Sequence, residues 1–223
     1  TASNESALLA MLIDVCQATL ANTSLDAAYV TRLLSLPSDK YLLQQMQAMD
    51  PLSIAKAKHE LETVLGQQLH DALTECVSQC PAVAEFDASP EAAGRRALRN
   101  LALSWLNLAG SEHAKSMAAS QYDAAHNMTD RMGALRALLL HPQRDDRTNA
   151  ALSHFSDRCQ DDPLVVDKWF ALQASAPTTT LQTVQQLLEH PAFVYRNPNR
   201  LRALVFQFCL NNPLGFHTPD GSG

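Results

Sequence analysis

At 223 residues, 46% hydrophobic and 18% charged, the chain can bury one large core or two small ones and is too apolar to stay disordered. A formal charge of −6 argues against nonspecific nucleic-acid binding, which needs a net basic face. No apolar run reaches the length of a membrane span and no basic segment leads into an apolar core as in a secretion signal, so no nucleic acid, no membrane and a cytoplasmic location are expected.

Taken in chain order, every segment reads as helix. Ser3 or Asn4 is placed to cap a first helix running to about Asn22, with Leu8, Met11, Leu12 and Val15 on one face. Ser24 starts a second helix towards Pro37, and Ser38 a third from Asp39 to Met49. Asp50-Pro51 opens the longest, whose stripe from Ile54 through Leu61, Leu65, Leu69 and Leu73 to Cys76 predicts one helix ending near Cys80-Pro81. A loop from Pro81 to Ala88 follows. Ser89-Pro90 then begins a helix that turns Leu98, Leu101, Ala102, Trp105 and Leu108 inward and stops at Gly110. Ser111 caps the next helix, to about Ala125. His126-Asn-Met-Thr-Asp130 is a polar break before Met132, Leu135, Leu138 and Leu139, with Asn127 or Thr129 as the cap. A helix from about Arg144 to Gln160 leads to Asp162-Pro163.

From Asp162 to Leu210 the pattern is helix, turn, helix, turn, helix. Asp162-Pro163 and Asn197-Pro198 are starts of one kind. A short polar side chain accepts from free N–H groups of the first turn, and proline takes the first helical position, where its missing N–H costs nothing. Thr180 to His190 forms the middle helix, stopped by Pro191. After Pro198, Leu201, Leu204, Val205, Phe208 and Cys209 make one apolar stripe. An irregular tail is expected after Pro213.

Four starts share the polar-then-proline form, at Pro51, Pro90, Pro163 and Pro198, without a strict period between them. The expected fold is all-α, an irregular HEAT-like stack of antiparallel helices of the α-solenoid class, with a compact bundle as competitor. Residues 1–223 read as a single helical domain with sub-layers 1–80 and 89–212.

Chemistry is sparse. His59-Glu-Leu-Glu-Thr63 approaches the H-E-x-x-H zinc motif, but threonine stands where the second imidazole must be. There is no G-x-S-x-G elbow, phosphate-binding glycine loop or dinucleotide fingerprint. The five cysteines, Cys16, Cys76, Cys80, Cys159 and Cys209, read as buried reduced thiols. Cys76 and Cys80 share a helix face, but no histidine pair stands near to complete a metal site. Arg95, Arg96 and Arg99 form a basic strip, either a solvated or ion-paired face or a site for an anionic ligand. No metal and no catalytic residue are expected in this chain.

Several stretches, in order, carry a resemblance: Leu33-Leu-Ser-Leu-Pro37, Asp50-Pro51, His126-Asn-Met-Thr-Asp130, Val166-Asp-Lys-Trp-Phe170 with Leu172-Gln-Ala174, Asn197-Pro-Asn-Arg200, Phe216-His217 and Asp220-Gly-Ser-Gly223. Together they resemble the C-terminal helical domain of the bacterial aminopeptidase N family, the zinc-dependent alanyl aminopeptidases. The resemblance implies a larger soluble metallopeptidase, a hydrolase that removes N-terminal residues from peptides, with zinc held by H-E-x-x-H and a distant glutamate in a separate catalytic domain. This chain would be non-catalytic and inactive alone. It would partner that catalytic domain of the same parent, enclose its chamber and limit which peptide substrates enter. The chain begins at Thr1 rather than Met and breaks off after Asp-Gly-Ser-Gly, as a segment of such a parent would. Arg200, Asn199, Asn127 and Asp130 are then the candidates to face the chamber, Arg200 through its fixed fork of donors. The alternatives for them are local: bonding to helix-end carbonyls or a neighbouring acid for Arg200, and capping for Asn127 and Asp130. Trp169 and Phe170 are expected in the core. The family domain continues past this chain's last residue, so an exposed apolar face near Phe206, Phe208 and Leu210 is expected, with self-association as its consequence. The alternative to all of this is a free-standing HEAT-like module that binds a protein partner.

Overall fold

The structure is a computed structural model that describes residues 2–83, 85–218 and 220–221, with side chains described from Glu5 onward. The described residues form helices and connecting turns with no strand, so the expected all-α class is met. The helices are α1 (Ala2–Ala21), α2 (Ala27–Leu34), α3 (Asp39–Gln44), α4 (Pro51–Gln68), α5 (His70–Gln79), α6 (Pro90–Leu108), α7 (Glu112–Ala124), α8 (Met128–Leu140), α9 (Asp146–Cys159) and α10 (Pro163–Ala174). Then come α11 (Leu181–Leu188), α12 (Pro198–Leu201), a π-helical turn (Arg202–Phe206), α13 (Gln207–Asn211) and α14 (Pro213–Phe216).

Most starts follow the capping logic of the sequence. Ser38, Ser89, Ser111, Asp162, Thr180 and Asn197 each accept from first-turn N–H groups of the helix they precede. Two starts differ. The first helix already runs from Ala2, so Ser3 and Asn4 fall inside its first turn, and their side chains lie outside the described residues. Asp26, not Ser24, caps α2, because its carboxylate accepts from Ala28 N at 2.8 Å while Ser24 is turned onto Asn22. The third helix also ends early, at Gln44 rather than Met49.

Chain contacts divide the molecule into two compact units, residues 1–37 with 60–141 and residues 38–59 with 142–223. The loop expected to part sub-layers 1–80 and 89–212 therefore lies inside the first unit.

In the first unit α6 is the central rod, with α2, α5, α7 and α8 packed on it. It is buried on several sides, through Leu98, Ala102, Leu103, Trp105, Leu106 and Leu108, as a helix surrounded by others must be. Each fully buried leucine contributes roughly 1.5–3 kcal/mol. Gly94 lets α2 approach closely, since a methyl there would meet Ala28 N at 2.8 Å. The helix closes on Gly110, whose φ of 79° allows Ser111 N to donate back to Leu106 O at 3.1 Å. The single long helix expected from Pro51 to Cys80 is broken at Leu69, with φ −100° and ψ 15°. Neither proline nor glycine stands there to announce it, and the hydrogen bonds from Leu69 N to Leu65 O and from Leu73 N to Leu69 O persist across the break.

In the second unit α10 is the centre, with α9, α12, the π-helical turn and α13 against it. Phe170 is fully buried and Trp169 nearly so, their rings edge to face 4.9 Å apart, as expected of core residues. The stripe after Pro198 is interrupted by the π-turn, where Gln207 N reaches back to Arg202 O. Leu204 and Phe208 are buried, while Phe206 and Leu210 are 48% and 72% exposed. The apolar face expected at 206, 208 and 210 therefore exists at two positions; Phe208 belongs to the core. The tail expected to be irregular forms the short α14 instead, capped by Asn212, while part of Asp220–Gly223 falls outside the described residues.

Candidate functional site

The four candidate residues belong to two different units, Asn127 and Asp130 to the first, Asn199 and Arg200 to the second. The break at 126–130 is built by Asn127, which caps α8: its Oδ1 accepts from Asp130 N at 2.9 Å, and its Nδ2 donates to Asp130 Oδ2 at 2.8 Å. Thr129, the other expected cap, is exposed. Asp130 itself is buried. Its Oδ1 accepts from Arg99 Nη2, and Arg99 Nη1 donates to Cys80 O at 3.1 Å. Gln121 Nε2 donates both to the Asp130 carbonyl and to Asn100 Oδ1, each at 2.9 Å. This network ties α6, α7 and α8 together through polar groups that burial obliges to pair.

The basic strip therefore divides. Arg99 is an interior residue. Arg96 donates to Asp87 O at 2.7 Å and lies 4.9 Å over the Phe86 ring. Arg95 is exposed beside a cavity of about 170 Å³ that Glu85, Asp87, Arg96, Arg99 and Asp130 also line. With Arg99 ion-paired, Arg95 exposed and three carboxylates among the walls, the arrangement fits the solvated or ion-paired face of the two alternatives.

In the second unit Asn197 caps α12 by accepting from Asn199 N and Arg200 N. Arg200 is only 5% exposed. Its Nε donates to Asp167 Oδ1 at 2.5 Å, its Nη1 donates to Ala192 O, and its Nη2 makes a long bond of 3.5 Å to Pro163 O. The guanidinium also lies 5.2 Å over the Phe170 ring. The fork expected to reach a peptide is thus turned into its own unit. Asn199 is exposed, and its Oδ1 accepts from Arg202 Nη1 at 3.4 Å. His190 sits 4.9 Å from the Trp169 ring, and its Nδ1 accepts from Ala192 N. Burial first, and then the Arg200 charge, push its pKa below the ordinary imidazole value.

Sequence reasoning did not name the partners in two ion pairs, Arg99–Asp130 and Arg200–Asp167, because they stand 31 and 33 residues apart. The only available signal was an arginine and an aspartate on otherwise apolar helix faces. Chemically, the described groups orient, cap and brace. Among the described residues, no three His, Cys, Asp or Glu side chains gather to hold a metal ion, so zinc has no fitting site among them.

Against known proteins, residues 1–223 match the family described as "Domain of unknown function (DUF3458_C) ARM repeats", in keeping with the α-solenoid class read from the sequence. The chain is 34% identical over 213 residues to aminopeptidase N of Escherichia coli (strain K12), covering 94% of this chain and 24% of that protein. It is 37% identical over 207 residues to aminopeptidase N of Caulobacter vibrioides, covering 92% of this chain and 24% of the relative. Among solved structures it is similar to Legionella pneumophila aminopeptidase A in complex with aspartic acid. There the TM-score is 0.77 at 26% identity, over 94% of this chain and 26% of the other. The chain thus spans about a quarter of the length of these relatives.

Proposed function

We propose, because this chain belongs to the DUF3458_C family of ARM-repeat domains, that it is the C-terminal helical domain of a cytoplasmic zinc aminopeptidase and walls the chamber in which N-terminal residues are removed from peptides. The observation that carries the reading is the match of nearly the whole chain to about a quarter of aminopeptidase N relatives. Its partner is then the catalytic domain of the same parent chain, and its substrates are peptides. Zinc and the proton transfers belong to that domain, and this chain supplies shape.

A wall selects by stiffness and spacing. Helices braced by buried ion pairs hold a fixed opening that admits an extended peptide and turns away a folded protein. On this reading Asn199, exposed on its turn, is the candidate to meet a passing peptide. Arg200 is a positioning residue that holds the turn through Asp167 and Ala192. Asn127 and Asp130 fix the start of α8 in the same manner.

The test is kinetic and uses the longer protein. Asn199→Ala is expected to lower kcat/KM several-fold on alanyl peptides of increasing length while leaving alanyl-anilide turnover and melting unchanged. Arg200→Ala is expected to lower stability together with peptide kcat/KM. The 223-residue chain alone, supplied with zinc, should not turn over alanyl-anilide. Turnover by the isolated chain, or a coding sequence upstream without H-E-x-x-H preceded by G-x-M-E-N, overturns the reading.

A further inference from the structure

The last turn of α5 carries a feature that no step of the proposed function uses. Cys76 and Cys80 are one helical turn apart on the same face, both nearly buried, and both line a cavity of about 410 Å³ with Gln17, Glu75 and Gln79 at its wall. Side chains four apart on a helix have Cβ atoms about 5–6 Å apart, and a disulfide needs about 3.5–4.5 Å. Closing that gap inside a helix would break the ladder, but Cys80 is the C-cap. Its φ of −113° and ψ of 58° already leave the helix, and the exposed Pro81, Ala82 and Val83 follow it. The backbone at Cys80 is thus placed to swing its Sγ towards Cys76.

The surroundings favour a thiolate at one sulfur. Arg99 Nη1 donates to the Cys80 carbonyl at 3.1 Å, which brings a buried guanidinium beside this residue. A hydrogen bond from the Cys76 thiol, followed by the charges of Arg99 and Arg95, brings the Cys80 thiol down to about 7 against the cost of burial. Cys76 is raised as the donor in that bond and by its own burial. The guanidinium beside Cys80 makes it the sulfur better placed to carry negative charge, and burial favours the protonated form of Cys76.

We propose that Cys80 and Cys76 form a peroxide-oxidisable dithiol, with Cys80 as the attacking thiolate and Cys76 as the resolving thiol of an intrahelical disulfide. The Cys80 sulfur attacks one oxygen of hydrogen peroxide, the O–O bond breaks, and the other oxygen leaves as hydroxide and takes a proton to become water. Cys80 is then a sulfenic acid. Oxidation removes the charge that held the Cys76 proton. Cys76 gives up that proton, its sulfur displaces the sulfenic hydroxyl, and a second water leaves as the S–S bond forms. The two thiols together lose two electrons, which reduce the peroxide.

The experiment uses the full chain, reduced and then exposed to hydrogen peroxide, unfolded, alkylated with iodoacetamide and mapped by mass spectrometry. The expected result is a peptide containing Cys76 and Cys80 that is lighter by two hydrogens and unalkylated until a reductant is added, while Cys16, Cys159 and Cys209 still alkylate. The rate of formation should rise with pH through about 7. Near neutrality it should be roughly threefold above that of an ordinary thiol, the larger thiolate fraction being partly offset by the lower nucleophilicity of a less basic sulfur. In Cys76→Ser, dimedone should trap a sulfenic acid at Cys80. In Cys80→Ser, Cys76 should stay reduced. If either variant fails to fold, the wild-type map decides alone. Full alkylation of both thiols after peroxide, or loss of Cys159 and Cys209 at the same rate as the pair, overturns the proposal.

Discussion

Replacing Asp130 with alanine tests the bracing of the first unit directly. Among the described residues the carboxylate is the one ion-pair partner of Arg99, whose side chain is 4% exposed, while the aspartate side chain is 3% exposed. Removing it leaves a guanidinium nitrogen without its acceptor inside the α6–α8 contact and strips Asn127 Nδ2 of its bond to Oδ2. Breaking a buried pair from one side costs about 3–5 kcal/mol, since the surviving charge stays desolvated. The bond from Arg99 Nη1 to Cys80 O survives, and so does Asn127's cap on the backbone N–H at 130, which places the expectation near the lower bound, about 3 kcal/mol. Urea denaturation followed by circular dichroism should show a lower midpoint at an unchanged slope. The double change Arg99→Met with Asp130→Leu should recover most of the loss, because no charge is then stranded. A single-variant loss under about 1 kcal/mol, within the range of exposed pairs, would refute the claim that this pair is buried and braces the unit.

Gly66→Ala should destabilise by about 1–3 kcal/mol, because a methyl there would overlap the Trp105 carbonyl, a backbone atom that cannot rotate away; the urea midpoint checks it. His190 has a depressed pKa in the fold, so the unfolded chain binds its proton first as pH falls. Its contribution is therefore complete above the ordinary imidazole value of about 6.5 and is lost as pH drops through the lower folded value. Since Nδ1 accepts from Ala192 N, protonation also removes that bond. The stability difference between wild type and His190→Asn should shrink between about pH 7 and pH 5, and a difference that does not change with pH would contradict the assignment. The isolated chain should self-associate through exposed Phe206 and Leu210, with Phe206→Asp and Leu210→Asp together restoring a monomer. A monodisperse wild-type monomer in dilute size-exclusion runs would count against that face.

The fold was legible where one residue decides a local outcome. A capping oxygen followed by proline, or a glycine able to take positive φ, acts within a few residues, and the starts at Pro90, Pro163 and Pro198 and the stop at Gly110 came out as read. It was not legible where tertiary packing decides. The stripe from Ile54 to Cys76 has no punctuation at Leu69, yet the helix breaks there. The stripe after Pro198 assumes 3.6 residues per turn, and one π-turn changes which side chains are inward. At Asp26 and Ser24 two cap-forming side chains stand two residues apart, and the nearer one won.

Three of the candidate residues, Asn127, Asp130 and Arg200, have the local partners that the sequence offered as their alternative reading. Of the stretches that carry the resemblance, His126–Asp130 supplies the acceptor of one buried pair in the first unit, and Val166–Phe170 and Asn197–Arg200 supply the two ends of another in the second. Asp130 receives Arg99, and Asp167 receives Arg200. A buried guanidinium that must reach a carboxylate and one or two carbonyls at once leaves no room for lysine, whose point charge lacks the fork. Such a position therefore dictates residue identity as sharply as catalysis would. A stretch constrained in this way is recognisable in sequence from its packing alone. Arg200 drew notice for its donors, and those donors close on Asp167 and Ala192. Buried side chains with several fixed partners are thus easier to recognise in a sequence than an exposed one such as Asn199, which packing constrains least.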